Sequence, residues 1–146
     1  MIFRICLLLS AVACYTSAAS FHRSTLVASF HKRTEKEGSK VSLTPLIPGQ
    51  TIWERVRFHG AAIEFIKRCG PGETGLHCTQ FVRKDTLQAA KPESIAYVDK
   101  DGHLVLNPMK ATDVGKYYNG ISQATKITDI SYHLDKRPYT YLQVKK

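Results

Sequence analysis

The sequence predicts an all-β fold of short antiparallel strands, on three observations. The first is the stretch Gly102 to Asn119, GHLVLNPMKATDVGKYYN. Leu104 and Leu106 alternate to one face, Asn107 and Pro108 break the run, and Met109, Asp113, Gly115 and Tyr117 follow as a corner and a second strand. The second is a period of two in TIWERVRFH, AAIEFIKRC and the closing YTYLQVKK. The third is the pair of turn sequences GPGETG and DKDG, rich in the residues that reverse a chain.

Length and composition set the bounds. At 146 residues and 43% hydrophobic, the chain is ample for one core and short for two. Its first residues, MIFRICLLLSAVACYTSAAS, place Arg4 ahead of an apolar run and small residues, the pattern of a secretory signal peptide over residues 1–19 cut near Ala19. As a helix the apolar run spans about 15 Å against roughly 30 Å of hydrocarbon, too short to anchor the chain. A lipoprotein anchor on Cys14 fails because Ala11 stands where a leucine is wanted. No later stretch is long enough to span a membrane, so the expected product is exported, soluble and extracellular.

Removal of the leader takes away Cys6 and Cys14 and leaves Cys69 and Cys78, which an oxidising compartment should join in a disulfide. Loss of Arg4 lowers the formal charge from +9 to +8. A charge of that sign favours anionic neighbours, although solubility alone also explains it.

Taken in order, residues 20–34 form an N-terminal segment in which Ser24 to Phe30, STLVASF, supplies an edge strand and HKRTEKEG interrupts it with charges. Val41 and Leu43 begin the next strand, which should end at Pro45 for want of a ladder N–H. In TIWERVRFH, the parity that turns Trp53 inward also turns Arg55 and Arg57 inward and leaves Val56 and Phe58 outside. Buried unpaired arginines are costly. The strand is therefore expected to leave the core by Arg55, the alternative being a bulge after Glu54.

AAIEFIKRC and LHCTQFVRK make a hairpin stapled near its tip by Cys69 and Cys78. The tip, with Pro71 and Glu73, is a candidate recognition loop, because a pre-organised loop loses less entropy on binding. DTLQAAKPES crosses to the other sheet. In IAYVDKDGHLVL, Ile95 and Tyr97 should answer Leu104 and Leu106 across the turn Asp99 to Gly102. Aligned on Gly102 as a calcium loop, DKDG has Tyr97 and Pro108 where the first and twelfth ligands belong, so it is a turn. A long connection after Tyr118 carries a short strand pair or a function. Thr140, Leu142 and Val144 then close the last sheet.

These residues resemble an immunoglobulin domain, nearest the I-set and similar to small secreted single-domain members of nematodes. The likeness covers most of residues 35–146, the expected domain. It implies an antiparallel β-sandwich with Val41 and Leu43 on strand B, Trp53 as the core tryptophan of strand C, Leu104 and Leu106 on E, and Tyr117 as the tyrosine corner of F. It also puts the missing framework cysteines at Pro45 and Asn119. A bridge there would close about 75 residues and be worth roughly 4.5 kcal/mol, against roughly 2.7 for the local loop.

The six histidines show no zinc-like spacing with one another or with the cysteines. His77 beside Cys78 comes nearest, and a disulfide removes that thiolate. Serine elbow, HExxH, phosphate-binding glycine loop and N-x-S/T acceptor are all missing, so catalysis is disfavoured and no cofactor is expected. The expected function is a secreted, non-enzymatic module binding an extracellular protein. It would use Val56 and Phe58 on the C, F, G face, which also pairs immunoglobulin variable domains into dimers, or the stapled loop. The alternative is an anionic glycan or membrane surface, met by Arg55, Arg57, Lys67 and Arg68 if the fold gathers them. Nucleic acid is an unsuitable partner for an exported protein.

Overall fold

A computed structural model describes residues 30–58, 62–120 and 137–146. The leader, the segment Ser24 to Ser29 and most of the connection after Tyr118 lie outside the described residues. The strands described are β1 (Phe30–Glu35), β2 (Val41–Leu43), β3 (Ile52–Arg57), β4 (Ile63–Lys67), β5 (Val82–Arg83), β6 (Ala96–Val98), β7 (Leu104–Leu106), β8 (Gly115–Asn119) and β9 (Tyr139–Val144). They form a six-stranded sheet in the order β1-β9-β8-β3-β4-β5 and a three-stranded sheet β2-β7-β6. This is the immunoglobulin-like sandwich. With β4 and β5 beside β3 it has the layout of a variable-type domain, where the sequence pointed nearest the I-set.

The charged run expected to interrupt the first strand is itself that strand. β1 pairs parallel with β9 from Phe30↔Tyr139 to Glu35↔Val144, so the sandwich already includes residues 30–34. An edge strand needs a ladder on one side only and leaves alternate side chains in water, which accommodates HKRTE. Arg33 also reaches the other sheet, its Nη1 donating to the Ser42 carbonyl at 2.6 Å.

Trp53 is fully buried at the centre of the core with Val41, Leu43, Ile66, Leu104, Leu106, Met109, Tyr117 and Leu142. Its Nε1–H donates to the Gly102 carbonyl at 2.8 Å, which ties β3 to the β6–β7 turn on the facing sheet. β2 stops two residues short of Pro45. Asn119 makes a second tie between layers: Oδ1 accepts the Ile47 N–H at 2.9 Å while Nδ2 donates to the Ile52 carbonyl at 3.4 Å.

β3 does not leave the core at Arg55, nor does it bulge. It pairs without a break with β4 and with β8 as far as Arg57↔Gly115. Arg55 is wholly buried and Arg57 nearly so. Two carboxylates offset most of the cost, with Arg55 Nη2 left without a hydrogen bond among the described residues. Glu64 on β4 accepts Arg55 Nε at 2.6 Å and Arg57 Nη2 at 2.7 Å, and Asp113 accepts Arg55 Nη1 at 3.2 Å. The Phe81 ring lies 3.7 Å beneath the Arg55 guanidinium. Arg57 also donates to the Lys91 and Pro92 carbonyls.

The β6–β7 register differs from expectation by one residue. Ala96 and Val98 face Leu106 and Leu104 inside, and Ile95 and Tyr97 are exposed. The turn sets this phase, because Asp99 N–H bonds the His103 carbonyl and Asp99 Oδ1 accepts the amides of Asp101 and His103, each at 2.9 Å. Desolvation opposes those bonds, yet they and the His103 ring hold the Asp99 carboxyl below its ordinary range.

At the corner, the Tyr117 hydroxyl donates to the Asp113 carbonyl at 2.6 Å. Gly115 is required by closeness: a Cβ there would stand 2.4 Å from the Val56 carbonyl oxygen.

Candidate functional site

The inner face of the six-stranded sheet is consumed by the core, which leaves its outer face as the candidate surface. Register assembles that face in two rows. The first runs from Phe30 on β1 to Tyr139 on β9, then Tyr118 on β8, Glu54 on β3 and Phe65 on β4. The second runs Lys32, Tyr141, Lys116, Val56 and Ile63 across the same strands.

Aromatic contact carries the first row. Phe30 stacks on Tyr139 at 5.6 Å between ring centroids, and Tyr139 meets Tyr118 at 5.6 Å. Cations lie over the rings: Arg137 Cζ is 4.5 Å from the Tyr118 centroid and Lys116 Nζ is 5.2 Å from that of Tyr139. Glu54 sits in the middle and is almost wholly buried. It accepts Lys84 Nζ at 2.6 Å and Arg137 Nη2 at 2.8 Å. Among the described residues this carboxylate anchors two cations, and Lys32 and Lys116 add positive charge in the second row.

Of the residues singled out from sequence, Val56 and Phe58 lie on this face, Val56 half-buried and Phe58 72% exposed. Arg55 and Arg57 do not reach it. They turn inward with Trp53, so the basic cluster of Arg55, Arg57, Lys67 and Arg68 is not formed. Burial pushes the Arg55 guanidinium down, but Tyr117, Glu64 and Asp113 outweigh it and hold the group above its ordinary value. Lys67 is engaged with Glu73 at 2.6 Å, and Arg68 is exposed beyond the strand end.

The stapled loop projects from β4. Cys69 and Cys78 are bonded, but Cys78 closes a short 3-10 turn, Leu76–Cys78, and is not on a returning strand. β5 pairs with β4 only at Phe65↔Val82 and Glu64↔Arg83. Pro71 and Glu73 are exposed at the tip. The Lys67 hydrogen bond, with a second from the Gly70 amide, holds the Glu73 carboxyl below its ordinary range.

Sequence reasoning passed over Phe30, Lys32, Glu54, Phe65, Lys116, Tyr118, Arg137, Tyr139 and Tyr141. The signal was present in part: with Tyr117 and Leu142 inside, parity alone sends Tyr118, Tyr139 and Tyr141 outward. A separate cleft of about 390 Å³ lies between β1 and the end of β2, lined in part by Leu43, Leu46 and Arg33. Arg33 is engaged there by Glu35 and the Ser42 carbonyl.

No protein-family model matches the chain, and no curated protein matches it. Among solved structures it is similar to the extracellular fragment of novel immune-type receptor 10 from Ictalurus punctatus, at 13% identity over 80% of this chain and 99% of that one, with a TM-score of 0.46. It is similar to the novel immune-type receptor 11 fragment of the same organism at 14% identity, covering 79% and 97% with a TM-score of 0.44. A marsupial T cell receptor is similar at 16% identity, over 80% of this chain and 48% of that chain, with a TM-score of 0.37. The strand order and register, and not these likenesses, define the fold as an immunoglobulin-like β-sandwich.

Proposed function

We propose that the chain is an exported, non-enzymatic binding module that engages an extracellular protein through the outer face of its six-stranded sheet. The observation that carries this reading is the set of accessible aromatics Phe30, Tyr139, Tyr141 and Phe65 on that face, with Tyr118 buried among them and cations held over the rings. Tyrosines present large contact areas at small entropic cost, and aromatic and arginine side chains anchor protein interfaces. Among the described residues cations outnumber carboxylates on this face, which favours an acidic partner. A second copy of the chain would bring like charges together, which disfavours the homodimer. The leader expected over residues 1–19 supports export, and among the described residues no helix is long and apolar enough to cross a membrane.

Capture from extracellular fluid tests the surface. Wild type and Glu73→Lys should recover the same protein, while Tyr141→Ala and Phe58→Asp should lose it. Recovery by both face variants would reject the proposed surface. The Lys32, Lys84, Lys116 and Arg137 cations favour an anionic glycan as the second reading. Elution from heparin at no more salt than an unrelated domain of equal charge requires would remove it.

A further inference from the structure

We propose that the cleft between β1 and the end of β2 is a binding site for a medium-chain fatty acid, with the Arg33 guanidinium taking the carboxylate and Leu43 and Leu46 the chain. The cleft opens where the two sheets part. Among the described residues β1 is the outermost strand of the six-stranded sheet and β2 of the three-stranded one. Its volume of about 390 Å³ lies within the range of roughly 300–1,000 Å³ that small-molecule sites occupy. Parity along β1 decides which side chains enter. Phe30 and Lys32 stand on the outer face, so His31 and Arg33 turn inward, opposite the buried Thr140 and Leu142. Leu43 forms an apolar floor and the half-buried Leu46 a wall.

Charge selects the ligand. Arg33 is fixed at the mouth by Glu35, which accepts its Nε at 2.5 Å, and by the Ser42 carbonyl, which accepts Nη1 at 2.6 Å. Among the described residues these bonds use two of the guanidinium's N–H donors, and the side chain stays 41% exposed, so the other donors are open to an anion. Lys32 at the rim keeps the mouth positive beyond what Glu35 neutralises. A carboxylate meets such a fork through parallel charge-assisted hydrogen bonds. A small hydrophilic anion would leave Leu43 and Leu46 uncovered, and a plain hydrocarbon would leave the guanidinium unused. At roughly 30 Å³ for each carbon, about the share of one water molecule in the liquid, a chain of about ten carbons takes about 300 Å³ and fits. The site is separate from the outer face, because the inward and outward residues of β1 alternate, and both can be occupied together.

Calorimetric titration of the purified protein with decanoate, below its micelle concentration, tests the site. Binding should saturate and be at least roughly tenfold tighter for decanoate than for decanol, which has the same chain and no charge. Each methylene removed from the acid should weaken binding about fourfold. Arg33→Gln should erase the preference for acid over alcohol, and Leu46→Trp, which fills the cleft, should remove binding of both. Tyr141→Ala, on the outer face, should bind as wild type does. In isotope-labelled protein the methyl signals of Leu43, Leu46 and Thr140 should move on saturation. The comparison of acid with alcohol and the methyl signals are read on the unaltered protein, so they hold even if a variant misfolds. Equal affinity for decanoate and decanol, no saturable binding, loss of binding in Tyr141→Ala, or unmoved Leu43 and Leu46 methyls would each overturn the proposal.

Discussion

Tyr117 shows how one residue sets both the corner and its pH limit. Burial, with Asp113 adding and Arg55 opposing, pushes its phenol up to about 12. A folded-state value above the unfolded value of about 10 means that the native protein holds this proton more tightly. The stability it contributes is therefore full below about pH 10 and lost as pH rises through about 12, a loss on the order of 2–3 kcal/mol. Denaturant midpoints measured across that range should fall for wild type. Tyr117→Phe should lie about 1 kcal/mol lower at neutral pH and lose that part of the alkaline fall. Asn119 is the companion case, because it ties the end of β8 to the segment after β2. Asn119→Ala should cost on the order of 0.5–1.5 kcal/mol by denaturant titration, since the part-buried bonds to the Ile47 amide and the Ile52 carbonyl are both lost. The corner was legible from the spacing of Asp113, Gly115 and Tyr117. The tie was not, because the partner amide lies 72 residues away and nothing local announces it.

At the scale of elements, β3 and β4 hold the lesson. Parity alone turned Arg55 and Arg57 inward, and the penalty for burying charge argued against following it. Glu64 decides the matter because the β3–β4 register sets it opposite Arg55. It too followed from parity, since it shares the inward face with Ile66, but a pairing between strands is not visible in either strand by itself. Removing one member of a buried ionic network leaves the others uncompensated, so Glu64→Ala should cost about 3–5 kcal/mol in chemical denaturation. A much smaller loss would mean that the arginines reach solvent. β1 makes the converse point. Charge in HKRTE looks like a strand breaker until the strand is known to be an edge. The staple is local, and replacing both Cys69 and Cys78 by serine should lower stability by roughly 2.7 kcal/mol without unfolding the sandwich.

For the whole molecule, the two faces of the six-stranded sheet divide the work. Inside, Trp53, Tyr117 and the paired arginines hold the layers together through packing, hydrogen bonds and ion pairs, with no covalent link at Pro45 and Asn119. Outside, the aromatic row and its cations form the face proposed to meet a partner. The sandwich could be read in advance because strand periodicity is local. The outer face could not be read as a unit, because its rows draw on strands from both ends of the chain, Phe30 on β1 and Tyr139 on β9. The most direct test is the affinity of the captured partner for Lys32→Glu, Tyr141→Ala and Arg68→Glu variants, measured over a salt series. The account predicts that the first two weaken binding at least tenfold, about 1.4 kcal/mol, that the third leaves it unchanged, and that wild-type affinity falls as salt rises. Equal affinity in all three variants would contradict it.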